Sequence, residues 1–183
     1  MTAQQKLRQL AETIRRCRLC RLSQSRTLAV PGEGPVGAQV LLIGEAPGAK
    51  EDEAGRPFVG PSGRFLNELF AGIGLPREHC FITSVVKCHP PKNRAPRADE
   101  MTACREYLDH QIALVDAPLL VCLGGVALKA LTGLDKLAQA RGRPLTYGDR
   151  PLLATYHPAA GMRFPEAETA MRRDFQELGK RLP

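Results

Sequence analysis

The chain has 183 residues, with 26 Lys or Arg against 19 Asp or Glu and a net charge of +7. That length suits one domain with a sizeable core and no staples, and a composition 43% hydrophobic and 25% charged excludes fibrous and disordered classes. No apolar run approaches the ~20 residues that span a bilayer, and Met1 to Leu10 lacks the apolar centre of a signal peptide, so a cytoplasmic protein with no membrane partner is expected.

Gln4 to Arg16 carries Leu7, Leu10 and Ile14 at helical spacing and predicts an amphipathic helix that runs into Cys17-Arg18-Leu19-Cys20. Pro31-Gly32-Glu33-Gly34-Pro35 is a loop of structure breakers. Val40 to Ile43 reads as a buried strand running into Gly44-Glu45-Ala46-Pro47-Gly48, a turn at the carboxyl edge, where open α/β sheets place ligands. Glu45 lies in that turn, and Glu51 and Asp52 follow. A second turn-rich loop, Gly55 to Pro61, has Phe58 at its centre. Ser62 is the expected cap of a helix with Phe65, Leu66, Leu69 and Phe70 on one face, ended by Gly72 and Gly74.

Cys80 to Val86 predicts a second strand, followed by a basic loop from Lys87 to Arg97 in which Pro90, Pro91, Asn93 and Pro96 resist regular structure. Asp99 is the expected cap of a helix to Val115, with Met101, Cys104, Leu108 and Ile112 on one side. Leu119 to Leu123 is a third strand, followed by Gly124-Gly125 and a short helix through Leu131. Leu152 to Tyr156 is a fourth strand, ending in His157-Pro158-Ala159-Ala160, and a charged helix begins near Glu166. Strands alternating with helices at crossover spacing predict an α/β fold with a parallel sheet covered on both faces. No G-x-G-x-x-G is present, which sets a dinucleotide fold aside.

The positive excess gathers at Arg15 to Arg26, at Lys87 to Arg97 and at Arg163 to Arg173, which suits a polyanionic partner or a solvated basic face. Six cysteines in a cytoplasmic chain point to metal, chemistry or packing rather than disulfides. Cys17 and Cys20 are spaced C-x-x-C, and Cys88 and Cys104 lie after the second strand and in the next helix. Four thiolates suit zinc or an iron–sulfur cluster, and spacing alone does not choose between them. A redox pair lacks its usual context, and Cys104 also fits a core position. Cys80 and Cys122, inside strands, read as packing residues.

Gly44-Glu45-Ala46-Pro47-Gly48, Gly55-Arg56-Pro57-Phe58-Val59-Gly60, Val85-Val86-Lys87-Cys88-His89-Pro90-Pro91-Lys92-Asn93-Arg94 and His157-Pro158-Ala159 together closely resemble the family 4 uracil-DNA glycosylases. The resemblance covers nearly the whole chain from Cys17 onward. It implies a three-layer α/β/α sandwich around a four-stranded parallel sheet, one domain over 1–183, with the N-terminal helix tied in by a 4Fe–4S cluster on Cys17, Cys20, Cys88 and Cys104. It also implies removal of uracil from single- or double-stranded DNA by hydrolysis of the N-glycosidic bond, with a monomer as the default state.

The same resemblance assigns roles within the pocket. Phe58 stacks on the base, and His157 hydrogen-bonds the uracil oxygen as charge builds. Glu45, and after it Glu51, position the attacking water or organise the loop, and Asn93 supports either. Ala46 stands where the fold-related family 1 enzymes carry an Asp base. Met162 and Arg163 correspond to the DNA-intercalating segment, with Lys87, Lys92 and Arg94 expected to grip the backbone and His89 to face phosphate or solvent. One departure stands out: Ser84 replaces the usual Asn, and a hydroxyl reads uracil's edge less selectively than an amide. That change keeps two other readings open: a glycosylase for another deaminated base, and a DNA-binding or damage-sensing iron–sulfur module with little catalysis.

Overall fold

A computed structural model describes residues 1–182. The strands β1 (Val40–Gly44), β2 (Cys80–Ser84), β3 (Leu120–Leu123), β4 (Leu145–Tyr147) and β5 (Arg150–Thr155) form one sheet in the order β2-β1-β3-β5-β4. The helices are α1 (Ala3–Arg16), α2 (Ala49–Ala54), α3 (Pro61–Ala71), α4 (Ala98–Val115), α5 (Gly125–Thr132), α6 (Leu137–Ala140), α7 (Pro158–Gly161) and α8 (Pro165–Gly179).

Every residue of β1, β2 and β3 is buried, as a parallel sheet covered on both faces requires. The pleat sorts the side chains. Leu41, Ile43, Leu120 and Cys122 join a core with Leu7 and Ile14 of α1, Leu108 and Ile112 of α4 and Leu128 of α5. Val40, Leu42, Val121 and Leu123 face the other way, onto Leu66 and Phe70 of α3 and Met171 and Phe175 of α8. Cys80 and Cys122 are buried packing residues, as expected.

The expected parallel sheet is present as β2-β1-β3-β5, and β4 adds an antiparallel edge. The cue for that hairpin is Gly148-Asp149, a two-residue link between Tyr147 and Arg150. Its strand is three residues long and none is fully buried, so no apolar run announces it. Two caps also differ from expectation. Gly60 caps α3 with Pro61 at the first helical position, placing Ser62 inside the helix, and Arg97 precedes α4 with Asp99 in its first turn. Among the described residues no helix is long and apolar enough to cross a membrane.

Candidate active site

Gly44 and Ser84 are register partners at the carboxyl ends of β1 and β2, so the Glu45 turn and Ser84 leave the sheet side by side. Thr155 ends β5 beside Leu123 of β3, and His157 follows it by two positions. These strand ends open on a cavity of about 480 Å³, a size typical of small-molecule sites. Glu45, Ala46, Glu51, Phe58, Ser84, Asn93 and His157 all line it. Met162 and Arg163 do not. They follow α7, whose Ala159 reaches the cavity wall, and Met162 is 51% exposed.

Phe58 has φ 50, a left-handed backbone that is rare for a bulky residue. Strain of this kind, about 1–3 kcal/mol, collects at functional sites. Two glycines make room for it. A Cβ on Gly63 of α3 would stand 1.8 Å from the Phe58 carbonyl oxygen, and one on Gly44 would press the Phe58 ring at 3.0 Å. The ring is buried against His157, with centroids 5.6 Å apart and planes inclined by 31°.

His157 is the N-cap of α7, and its Nδ1 accepts the Ala159 backbone N–H at 3.2 Å. Burial pulls its pKa down to about 4, with Glu51 opposing, so the ring is neutral at pH 7. A neutral imidazole that accepts at Nδ1 carries its proton on Nε2. The site therefore presents one N–H donor without a full positive charge. The strand leading to it is braced: Thr155 donates to Asp174 of α8 at 2.6 Å, Arg141 forks onto Asp174 at 2.9 and 3.0 Å, and the same guanidinium lies 4.6 Å over the Tyr156 ring.

The acidic residues divide by what holds them. Glu45 is half-buried at the cavity, and burial alone raises its pKa above the ordinary carboxylate value. Glu51 Oε1 accepts the backbone N–H groups of Val59 and Gly60, both at 2.9 Å, and so pins the loop that carries Phe58. Asp52 turns away from the cavity. Both its oxygens accept the Thr27 N–H, at 3.0 and 2.9 Å, fastening α2 to the segment after Cys20. Asn93, with φ 54, is bonded to His89 Nε2 at 2.8 Å, an exposed contact within the loop.

Lys87 is a correction to the expected DNA grip. It is 1% exposed, and its Nζ donates to Thr83 Oγ1, the Ser84 carbonyl and Gln111 Oε1 at 2.6–2.7 Å. Burial pulls its pKa down to about 7, and an amine held by three buried acceptors fastens the end of β2 and is not offered to phosphate. Arg94 lines the cavity but is held by the buried Glu100 through two bonds of 2.8 and 2.6 Å. Lys92 remains exposed.

Cys17, Cys20, Cys88 and Cys104 meet at a second corner. Burial pushes the Cys88 thiol up to about 11 against the pull of Arg26, with Cys104 and Cys20 close enough to add to the rise. Cys104 is raised by burial as well and feels both Cys20 and Cys17. Arg26 organises this corner: it donates to Cys88 Sγ at 2.8 Å, to the Cys17 carbonyl at 2.7 Å and to the Arg15 carbonyl at 3.1 Å. Among the described residues no three His, Cys, Asp or Glu side chains close to a single-ion site.

A family model described as the uracil DNA glycosylase superfamily matches residues 31–179. The chain belongs to that superfamily. A type-4 uracil-DNA glycosylase of Sulfurisphaera tokodaii is 40% identical over 182 residues, covering 94% of this chain and 83% of the relative. One of Pyrobaculum aerophilum is 43% identical over 182 residues, covering 93% and 90%. A type-5 uracil-DNA glycosylase of Thermus thermophilus is 37% identical over 149 residues, covering 70% and 68%. The superfamily resemblance read from the motifs is thus borne out. Sequence reasoning missed Arg77, Arg141 and Asp174 behind this superfamily site, and the bonding roles of Arg26 and Asp52. Their partners lie 9 to 62 residues away along the chain, and no local pattern marks them.

Proposed function

We propose that this chain is a DNA glycosylase that hydrolyses the N-glycosidic bond of uracil in DNA and so starts base excision repair. The observation that carries the reading is His157, its Nδ1 tied to the Ala159 N–H, packed beside the Phe58 ring where both line the cavity. The chemistry requires a flat base to be flipped from the stack, at a cost of a few kcal/mol, then held, read and relieved of its bond to the sugar. Phe58 supplies a stacking face worth about 1–3 kcal/mol. As the bond breaks, negative charge moves onto the departing base. His157 Nε2–H donates to the carbonyl oxygen that receives it, a contribution of about 3 kcal/mol to the transition state.

Glu45 completes the step from the sugar side. Its carboxylate faces the same cavity, where it favours the developing cation and orients water for attack. Ala46 offers no second carboxylate at the next position, so the burden rests on Glu45. Glu51 and Asn93 act by fixing the loops. Met162, exposed beyond α7, and Arg163 would fill the gap left by the flipped nucleotide and meet a phosphate.

Cys17, Cys20, Cys88 and Cys104 would hold a 4Fe–4S cluster. The donor set fits that group: four thiols, two buried and two half-buried, with no oxygen or nitrogen ligand among them. Bound there, it supplies a rigid cross-link that ties the end of α1 to α4 and to the loop between Lys87 and Arg97. The reading includes one domain over 1–183 that acts as a monomer in the cytoplasm.

Ser84 supports a second reading in part. Its hydroxyl lies at the cavity where an amide would discriminate uracil from other bases. A single-turnover assay separates the readings: oligonucleotides carrying one uracil, hypoxanthine, xanthine or no lesion are incubated with protein, and abasic sites are cut with alkali. Cleavage at uracil supports the leading reading. Cleavage only at another base moves the substrate, and DNA binding without cleavage at any base makes the chain a binding module. In the same assay Ser84→Asn is expected to narrow the range of bases and raise the uracil rate a few-fold. An unchanged rate and range would show that Ser84 does not set specificity.

A further inference from the structure

Phe58 is held from behind by a residue that never reaches the cavity. Arg77 lies in the turn just before β2, and each of its five N–H donors has an acceptor. Nη2 donates to the Pro57 carbonyl at 2.7 Å and to Glu33 Oε1 at 2.9 Å. Nη1 donates to the Phe58 carbonyl at 3.4 Å and to Asn67 Oδ1 at 2.9 Å, and Nε faces Glu33 Oε1 at 3.4 Å. Glu33 is itself fixed by a two-way backbone bridge with Ile82 in β2, at 3.0 and 2.8 Å. The sheet edge, α3 and the Phe58 turn are therefore joined through one planar cation.

We propose that Arg77, anchored by Glu33, is a positioning residue for base excision: it grips the Pro57 and Phe58 carbonyls so that Phe58 keeps its left-handed backbone and its ring stays against the base. This rests on the glycosylase reading given above. The physical need is plain. A Phe at φ 50 relaxes toward negative φ unless its surroundings hold it, and that relaxation would swing the ring off the cavity wall. Gly63 only permits the conformation, by leaving space beneath the Phe58 carbonyl. Arg77 restrains it, through the two successive carbonyls that a change at φ of Phe58 would displace. Arg77 is not among the cavity's lining residues, so it acts through Phe58 and not on the base.

Lysine cannot reproduce the planar fork, although it keeps a charge for Glu33. That difference gives the test. Arg77→Lys, Arg77→Gln, Phe58→Ala and the double variant Arg77→Gln/Phe58→Ala are compared by thermal unfolding, by single-turnover excision from uracil-containing DNA and by inhibition with free uracil. Arg77→Lys is expected to unfold within a few degrees of the unaltered protein yet lose about tenfold in both uracil inhibition and excision rate, the scale of one lost stacking contact. The double variant is expected to be no slower than Phe58→Ala, because the two residues act as one unit. Additive losses, or Arg77→Lys with unaltered uracil inhibition, would overturn the clamp while leaving the glycosylase reading intact. Unaltered protein that releases no uracil would overturn that reading and the clamp with it.

Discussion

The cavity and the thiol corner share the loop from Lys87 to Arg97, which gives Pro90, Asn93 and Arg94 to one and Cys88 to the other, and they are built in opposite ways. At the cavity, backbone and side-chain bonds within the protein fix His157, Phe58 and Ser84. His157 is set by the first turn of α7, Phe58 by Gly63, Glu51 and Arg77, and Ser84 by the register of β2 with β1. At the corner, four thiols arrive from three segments, and the Arg26 guanidinium is a cross-link on the protein side. The difference teaches that the cavity residues are held by several elements at once, whereas one guanidinium, that of Arg26, ties the thiol corner together.

That contrast can be broken first at the corner. Cys88→Ala is expected to lose most iron and inorganic sulfide on analysis and to unfold at a markedly lower temperature. Unchanged iron and sulfide would remove Cys88 from the ligand set. Next comes the cavity's close packing. Gly63→Ala forces a Cβ onto the Phe58 carbonyl, and overpacking of this kind costs about 1–3 kcal/mol, or a fall in Tm of roughly 3–10 °C. Its uracil rate should fall while iron content stays at the unaltered level, and a fall in both would mean that the two regions are not independent.

The smallest effect is on pH dependence. Burial holds the Glu45 pKa above the ordinary carboxylate value, so its charge is lost as pH falls through that raised value. The excision rate should therefore show an acidic limb above pH 4.5, the ordinary Glu value. In Glu45→Gln the rate is lower and that limb disappears, leaving only a fall near the His157 value of about 4. A limb that stays in place in Glu45→Gln would assign it to another group.

Much of this was legible in the sequence because the relevant signals are local. β1 and β3 are short apolar runs that meet glycine at Gly44 and Gly124, and Glu45, Ala46 and His157 sit on the segments that follow strands. β4 was not legible, because an edge strand with no buried residue has no apolar signature. Lys87 misled because a lysine at the head of a basic loop reads as surface, while the acceptors that bury it include Gln111 in α4. Arg77 carried no signal at all. Its partners Glu33, Pro57 and Asn67 come from three segments that only the fold brings together. The backbone strain at Phe58 is equally invisible to sequence, since nothing in the residue type announces φ 50.

The central claim is that a neutral His157 donates a hydrogen bond to the uracil oxygen on which charge builds as the base departs, and the most direct test is the single-turnover rate of uracil release by His157→Ala at pH 7.5, with DNA binding measured alongside. The account predicts a loss of about 10²–10³-fold, the scale of one missing donor to a developing anion, with binding unchanged. A rate within a few-fold of the unaltered protein would contradict it.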